Sequence, residues 1–324
     1  MTWMVTGGAG YIGAHVVRSL TEAGLRTVVL DDFSTGQRAF VPAGVPVVDT
    51  TILDVDAVAE AMTAHAVTGV VHVAGYKYAG VSVQRPLHTY EQNVTGTARV
   101  LEAMRRTGAD RIVFSSSAAV YGTPDTDLVT EDTATRPASP YGESKLIGEW
   151  LLRDAGVAHA IRHVSLRYFN VVGSGSPELY DASPHNLFPL VIDALRSGRT
   201  PQVRGTDYNT PDGSCVRDYV HVADLAHSHA AAALALDAGR TLQPVYNLGS
   251  GAGSSVLDIM AAMAAGTGID FTPDIADRRP GDPDRIVADG TAAARDLDWA
   301  MRHSLEDMVR SAWAAQPGAE TGAP

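Results

Sequence analysis

Thr6-Gly7-Gly8-Ala9-Gly10-Tyr11-Ile12-Gly13 follows the short apolar run Trp3-Met4-Val5 and leads directly into an amphipathic segment reaching Ala23. Strand, glycine turn, helix is the order in which a dinucleotide site is built. The glycines permit a tight turn and close backbone approach, and the helix N-terminus offers unpaired N–H groups to a pyrophosphate. Thr27 to Leu30 reads as a second strand and ends in Asp31-Asp32. A carboxylate at that spacing accepts hydrogen bonds from an adenosine ribose and repels a 2′-phosphate, which selects NAD over NADP.

Working outward, strand-like and helix-like segments alternate through Val45–Val48, Val55–Ala64, Val70–Val73, Asn93–Arg106, Arg111–Phe114 and Ile161–Arg167. Apolar runs followed by periodic helices predict an α/β fold, a Rossmann-type doubly wound parallel sheet covered on both faces. After Asn170 glycine, proline and polar residues dominate to about Gly213, and a further strand follows at Val245–Leu248. The expected organisation is an NAD-binding domain over 1–170, a smaller C-terminal substrate-binding α/β lobe over 171–316 with some segments packing back on the first domain, and a tail over 317–324.

The chain of 324 residues has 45% hydrophobic and 19% charged residues, a globular composition. Its net charge of −12 argues against general affinity for nucleic acid or an anionic membrane. Any anionic ligand needs arginines gathered locally, and Arg204, Arg217, Arg278 and Arg279 are the candidates. Cys215, the lone cysteine, allows no internal disulfide and reads as a packing residue. His221, His227 and His229 lack acidic companions at metal-ligand spacing, so no metal is expected. Met1 to Thr6 shows no charged leader and no apolar run approaches eighteen residues, so a cytoplasmic location is expected.

Chemistry concentrates at Tyr141-Gly142-Glu143-Ser144-Lys145, after the helix-launching stretch Pro137-Ala138-Ser139-Pro140. On a helix, residues four apart share a face, and Lys145 is one of only two lysines in the chain. An ion pair about 4 Å apart at an effective dielectric of roughly 20 is worth about 4 kcal/mol. That would bring a tyrosine pKa from about 10 to about 7, making Tyr141 a candidate base. Ser115-Ser116-Ser117 stands at the carboxyl end of a strand, where open α/β sheets place ligand chemistry.

These parts together resemble the extended short-chain dehydrogenase/reductase superfamily and, within it, are similar to the UDP-galactose (UDP-glucose) 4-epimerases. The resemblance spans Val5 to about Trp313 and is carried by Thr6–Gly13, Phe114–Gly122, Tyr141–Lys145, Leu166–Asn170, and Asp207-Tyr208-Asn209-Thr210-Pro211-Asp212-Gly213 before Val216–Tyr219. It implies tightly held NAD, a nucleotide-sugar substrate and a homodimer of paired helices. It makes Tyr141 the base, Lys145 its electrostatic partner and Ser117 the hydroxyl that bonds the reacting sugar oxygen. Gly7, Gly10, Tyr11, Ile12, Gly13, Asp31, Asp32, Ala74, Gly75, Lys77, Asn93, Ser115, Tyr168 and Phe169, with Tyr141 and Lys145, are implied on the cofactor side. Lys77, Ser117, Tyr141, Asn170, Asn186, Leu187, Arg204, Arg217, Tyr219, Arg279 and Asp282 are implied on the nucleotide-sugar side.

Four positions depart from the family pattern. Thr51 stands near where an acidic residue contacts adenine, Val81 replaces a glutamate, Arg204 replaces a phenylalanine beside the nucleobase, and Ile286 falls near the position that gates 2-acetamido sugars. Arg204 and Val81 open the alternative of a GDP- or dTDP-linked sugar, because a guanidinium suits the acceptor-rich edge of guanine. A dehydratase of the superfamily would carry an Asp-Glu pair directly after the serines, where this chain has Ala118-Ala119. A non-catalytic nucleotide sensor would have no use for Ser117, Tyr141 and Lys145 together.

Overall fold

The opening apolar run forms the strand Thr2–Thr6, buried along its whole length, and the chain turns through the glycines into the helix Tyr11–Glu22. The structure is a computed structural model and describes residues 1–126, 128–278 and 282–316. Arg279 and the tail expected over 317–324 lie outside the described residues. Trp3 and Val5 pack toward Val16, Val17 and Leu20, whereas Met4 packs toward Val58 and Met62 on the opposite face. Burial on both faces explains why the strand shows no polar alternation.

Six further strands complete a parallel sheet in the spatial order Val245–Leu248, Arg162–Tyr168, Arg111–Ser115, Gly69–His72, Thr2–Thr6, Arg26–Asp31, Val47–Asp49. The order reverses between Thr2–Thr6 and Gly69–His72, the switch point at which such sheets bind ligands beyond their carboxyl ends. The helices Tyr11–Glu22 and Val222–Asp237 share a core on one face. Val55–Ala64, Gly96–Thr107 and Pro140–His159 cover the other. The strand Val245–Leu248 and the helix Val222–Asp237 come from beyond residue 170 and rejoin the first layer.

The second core gathers Phe188, Ile192, Tyr219, Ile259, Met263 and Val309. Around it lie a small sheet of Ser254–Ser255, Val216–Arg217, Arg285–Ala288 and Leu128–Val129, and the parallel pair Asn170–Val172 with Tyr219–His221. No helix among the described residues is long and apolar enough to cross a membrane.

One boundary is corrected. A single helix from Asn93 to Arg106 was expected, but Glu91–Thr95 is a π turn and the α-helix runs Gly96–Thr107. The Asn93 side chain is fixed by partners outside the helix, and the wider turn accommodates it.

Candidate active site

The site begins at the glycine turn. A Cβ placed on Gly13 would lie 2.0 Å from the Gly7 carbonyl oxygen, so only glycine lets the helix start this close to the strand. A Cβ on Gly7 would meet Ala74 Cα at 2.8 Å, and one on Gly75 would stand 3.7 Å from Lys145 Nζ. Gly7 with Ala74, and Gly75 with Lys145, are thus close neighbours at the switch point. Gly10 stands as N-cap of the helix Tyr11–Glu22 and makes no side-chain cap, leaving the helix start open to an anion. Tyr11 is buried and donates its hydroxyl to Gly173 O at 2.6 Å, while Ile12 packs against the core.

Asp31 ends its strand with both carboxylate oxygens engaged, accepting from Ala9 N at 2.9 Å and Phe33 N at 2.9 Å. It therefore tethers the glycine loop through Ala9 N. Burial pushes its pKa up while the two N–H donors oppose that. Asp32 is exposed and accepts from Ser34 N and Ser34 Oγ, so the two aspartates do not act as a pair.

The candidate reacting groups meet beyond the end of the strand Arg111–Ser115, on the turn that follows it and on the helix Pro140–His159. Ser139 caps the helix Pro140–His159 through its Oγ, and Pro140 occupies the first turn. A Cβ on Gly142 would lie 2.4 Å from Ala119 O, so the glycine inside the motif lets Tyr141 approach the turn Ala118–Tyr121 that Ser117 caps. Tyr141 is buried and hydrogen-bonded to Ser117. Ser82 Oγ accepts from Tyr141 N at 3.1 Å, and Ser144 Oγ donates to Tyr141 O at 2.7 Å. Asn93 ties this to the loop above: it donates to Ser144 Oγ at 2.8 Å and accepts from Tyr76 N at 2.6 Å.

The expected lowering of the Tyr141 pKa by Lys145 is corrected. Lys145 Nζ donates to Ser115 O at 2.9 Å and stands 5.9 Å from the Tyr141 ring centroid. Burial consequently dominates and pushes the phenol up, with the Ser117 hydrogen bond working the other way. Burial also brings Lys145 down to about 8. Tyr168 is likewise pushed up, by burial and by Tyr141 beside it, while its hydrogen bond to Ser115 opposes.

On the substrate side the structure brings together several expected residues. Tyr219 pairs in register with Asn170 and hydrogen-bonds its side chain. Arg217 donates to Val216 O and Pro283 O and stands 3.8 Å from Asp282. Asn186 caps the helix Leu187–Arg196 in sequence but gives its side chain to Asp181 at 2.7 Å, and Leu187 follows half-buried. Lys77 stands 3.5 Å from the same Asp181. Phe169 and Ile286 share a buried cluster with Ala118 and Leu146. Arg204 is exposed at the end of the strand Gln202–Arg204. Arg279 lies outside the described residues.

Three contributors were not assigned to this site from the sequence, His229 having been weighed only as a metal ligand. Asp181 is buried and organises Lys77, Ser183 N and Asn186. His229 holds Ser115 Oγ at 3.0 Å through Nε2 while its Nδ1 meets Leu225 O at 2.9 Å. Glu149 accepts from Ser116 Oγ at 2.5 Å and from Arg167 at 2.8 and 2.6 Å, locking the serine stretch to the helix of Tyr141. Glu149 lies on the face of Tyr141, eight residues on, and this spacing was the available signal.

Comparison with known proteins follows this geometry. Residues 3–249 match the model of the NAD dependent epimerase/dehydratase family. A UDP-glucose 4-epimerase of Azospirillum brasilense is 43% identical over 314 residues, covering 95% of this chain and 90% of that protein. The crystal structure of UDP-glucose 4-epimerase from Brucella ovis in complex with NAD superposes with a TM-score of 0.93 at 37% identity, covering 96% of this chain and 97% of that one. The Bifidobacterium longum UDP-glucose 4-epimerase in complex with NAD+ and UDP gives a TM-score of 0.88 at 34% identity, covering 98% of both chains.

Proposed function

Because the chain belongs to the NAD dependent epimerase/dehydratase family, we propose that it is an NAD-dependent nucleotide-sugar 4-epimerase that interconverts UDP-glucose and UDP-galactose through a 4-keto sugar. The observation that carries this reading is the pairing of Ser117 with Tyr141, with Lys145 beside it and next to Gly75. The glycine turn fits a dinucleotide: Gly7 and Gly13 let strand and helix approach more closely than a Cβ would allow, and the helix start carries no side-chain cap. Gly7, Gly10, Gly13, Asp31 and Lys145 would hold the cofactor. Bound NAD supplies the hydride acceptor and donor for C4.

The protein's own groups handle the proton and the orientation. Tyr141, once ionised to the phenolate, takes the O4 proton as C4 is oxidised and returns it after the sugar presents its other face. Ser117, in contact with Tyr141, bonds the same oxygen and aligns it. Lys145 keeps a positive charge near the phenol as it ionises, while anchoring Ser115 O. Ala118-Ala119 gives no acid and base for removing water, which favours epimerisation over dehydration. Arg217, Tyr219, Asn170 and Asn186 hold the nucleotide firmly, so the sugar ring can turn while the diphosphate stays.

Purified protein incubated with UDP-galactose is expected to yield UDP-glucose, read by anomeric proton resonances. Absence of the C4 epimer in NAD-replete protein would reject the assignment. NAD is expected to co-purify, and NADP not to replace it, because a 2′-phosphate would face the Asp31 carboxylate. Recovery of NADP as the main extracted nucleotide would overturn that part. The exposed Trp150 and Val157, seven residues apart on the helix Pro140–His159, support a homodimer through that face. Light scattering is expected to show a dimer for the native chain and a monomer for Trp150→Asp, and an unchanged dimer in the variant would place the interface elsewhere.

A further inference from the structure

Tyr141 stands second in its helix, where backbone N–H groups find no partner within the helix itself. Pro140 has no N–H to satisfy, and the Ser139 cap serves the residues after Tyr141: Gly142 N donates to Ser139 Oγ at 3.2 Å and Glu143 N to Ser139 O at 2.9 Å. The Tyr141 N–H is met from elsewhere in the chain, by Ser82 Oγ at 3.1 Å. Ser82 is fully buried and commits its own proton to Ala79 O at 2.5 Å, so toward Tyr141 its oxygen acts as an acceptor. A buried N–H left without an acceptor is costly. Ser82 removes that cost at the residue whose place matters most to the chemistry.

Ser82 ends the loop that begins at Tyr76, and the beginning of that loop is tied to the same residue of the helix. Asn93 accepts from Tyr76 N at 2.6 Å, donates to Tyr76 O at 3.0 Å and donates to Ser144 Oγ at 2.8 Å. Ser144 Oγ in turn donates to Tyr141 O at 2.7 Å. The two ends of the loop therefore reach the N–H and the carbonyl of Tyr141. Between them, Lys77 stands 3.5 Å from Asp181, and the Tyr78 ring meets the His185 ring edge-on at 4.8 Å. The loop thus also touches the segment in which Asp181 holds Asn186.

We propose that Ser82 is a positioning residue for the epimerisation: its hydroxyl pins the Tyr141 amide and so fixes the place of the phenol beside Ser117. This rests on the 4-epimerase reading above. Misplacing a reacting group by about 1 Å can cost roughly a hundredfold in rate. Without Ser82 Oγ, the first turn of the helix shifts until its N–H finds another acceptor. In this role Ser82 needs no contact with sugar or cofactor. It acts on kcat through Tyr141 and leaves the grip on the nucleotide as it was.

The test is Ser82→Ala in the full chain, with rates taken per NAD-loaded site so that only folded protein is counted. The kcat for UDP-galactose is expected to fall about ten- to a hundredfold. KM and NAD content should stay within about twofold of native, since no nucleotide contact is lost. In the Tyr141→Phe background the same substitution should lower the residual rate by less than about twofold, because no base is left to position. Hydrogen exchange resolved to single amides reads the pin without turnover. The Tyr141 amide should exchange severalfold faster in Ser82→Ala, while Gly142 N, held by Ser139 Oγ, keeps its native rate. Near-native kcat, an equal loss in the Tyr141→Phe background, or unchanged exchange at Tyr141 would each overturn the proposal. Native protein that leaves UDP-galactose unchanged would defeat the functional reading and this role with it, whereas active native protein with any of those three results defeats the role of Ser82 alone.

Discussion

Tyr141→Phe is expected to lower kcat for UDP-galactose by at least about a hundredfold while the protein keeps its fold and its NAD, since a general base typically contributes 10² to 10⁴. That range corresponds to about 3–5 kcal/mol of barrier. The substitution removes only the phenol oxygen. The ring position is set by the backbone bond to Ser82 Oγ and by the helix cap at Ser139, neither of which involves the hydroxyl. Ser117 retains its bond from Ala119 N, and Lys145 retains Ser115 O. Steady-state kinetics with nucleotide extraction and thermal unfolding separate the cases. Near-normal turnover in a folded, NAD-containing variant would remove Tyr141 from the role of base.

Glu149→Ala should have the largest effect on stability, a loss of about 3–5 kcal/mol, the usual result of removing one partner from a buried ion pair. Arg167 and Glu149 are both almost wholly buried, and Arg167 would be left with Tyr121 Oη at 2.8 Å as its remaining side-chain partner. Ser116 would lose its acceptor as well, freeing the strand end that carries Ser117. Urea unfolding of NAD-loaded protein measures the loss. Glu149→Ala/Arg167→Leu should recover much of it, because no uncompensated charge remains. A loss under about 1 kcal/mol for Glu149→Ala would show that the pair does not lock the serine stretch.

The dinucleotide layer was legible because its signals are local. A glycine turn between a buried strand and a helix, and apolar runs alternating with periodic segments, reflect backbone constraints that neighbouring residues express together. The meeting of Ser117, Tyr141 and Lys145 was legible, but not their electrostatics. Spacing by four places Tyr141 and Lys145 on one face, but the ammonium is taken by the Ser115 carbonyl on another strand, so burial raises the phenol where an ion pair would have lowered it. The buried Ser116–Glu149–Arg167 network was hidden because a glutamate in a helix and an arginine in a strand usually face water, and only the fold shows otherwise. Arg217 and Asp282 are far apart in sequence and meet because Val216–Arg217 pairs beside Arg285–Ala288. Arg204 sits on the exposed side of a short strand whose buried residue is Val203, where a nucleobase neighbour would have to be met from solvent.

The late return of the chain to the first sheet bears on how such a protein can diversify. Tyr246 and Leu248, on the strand Val245–Leu248, are fully buried in the core of the dinucleotide layer, as is much of the helix Val222–Asp237. The small sheet in turn borrows Leu128–Val129 from the first half. The two halves are interlaced rather than joined end to end, so the substrate-binding part is no detachable module. A cut after residue 170 would strip the sheet of an outer strand and of the helix Val222–Asp237 that covers one face beside Tyr11–Glu22. New specificity is therefore accessible by replacing individual loops, such as Tyr76–Val81 or Asp207–Gly213, whose neighbours stay in place, and not by exchanging the second half of the chain for another.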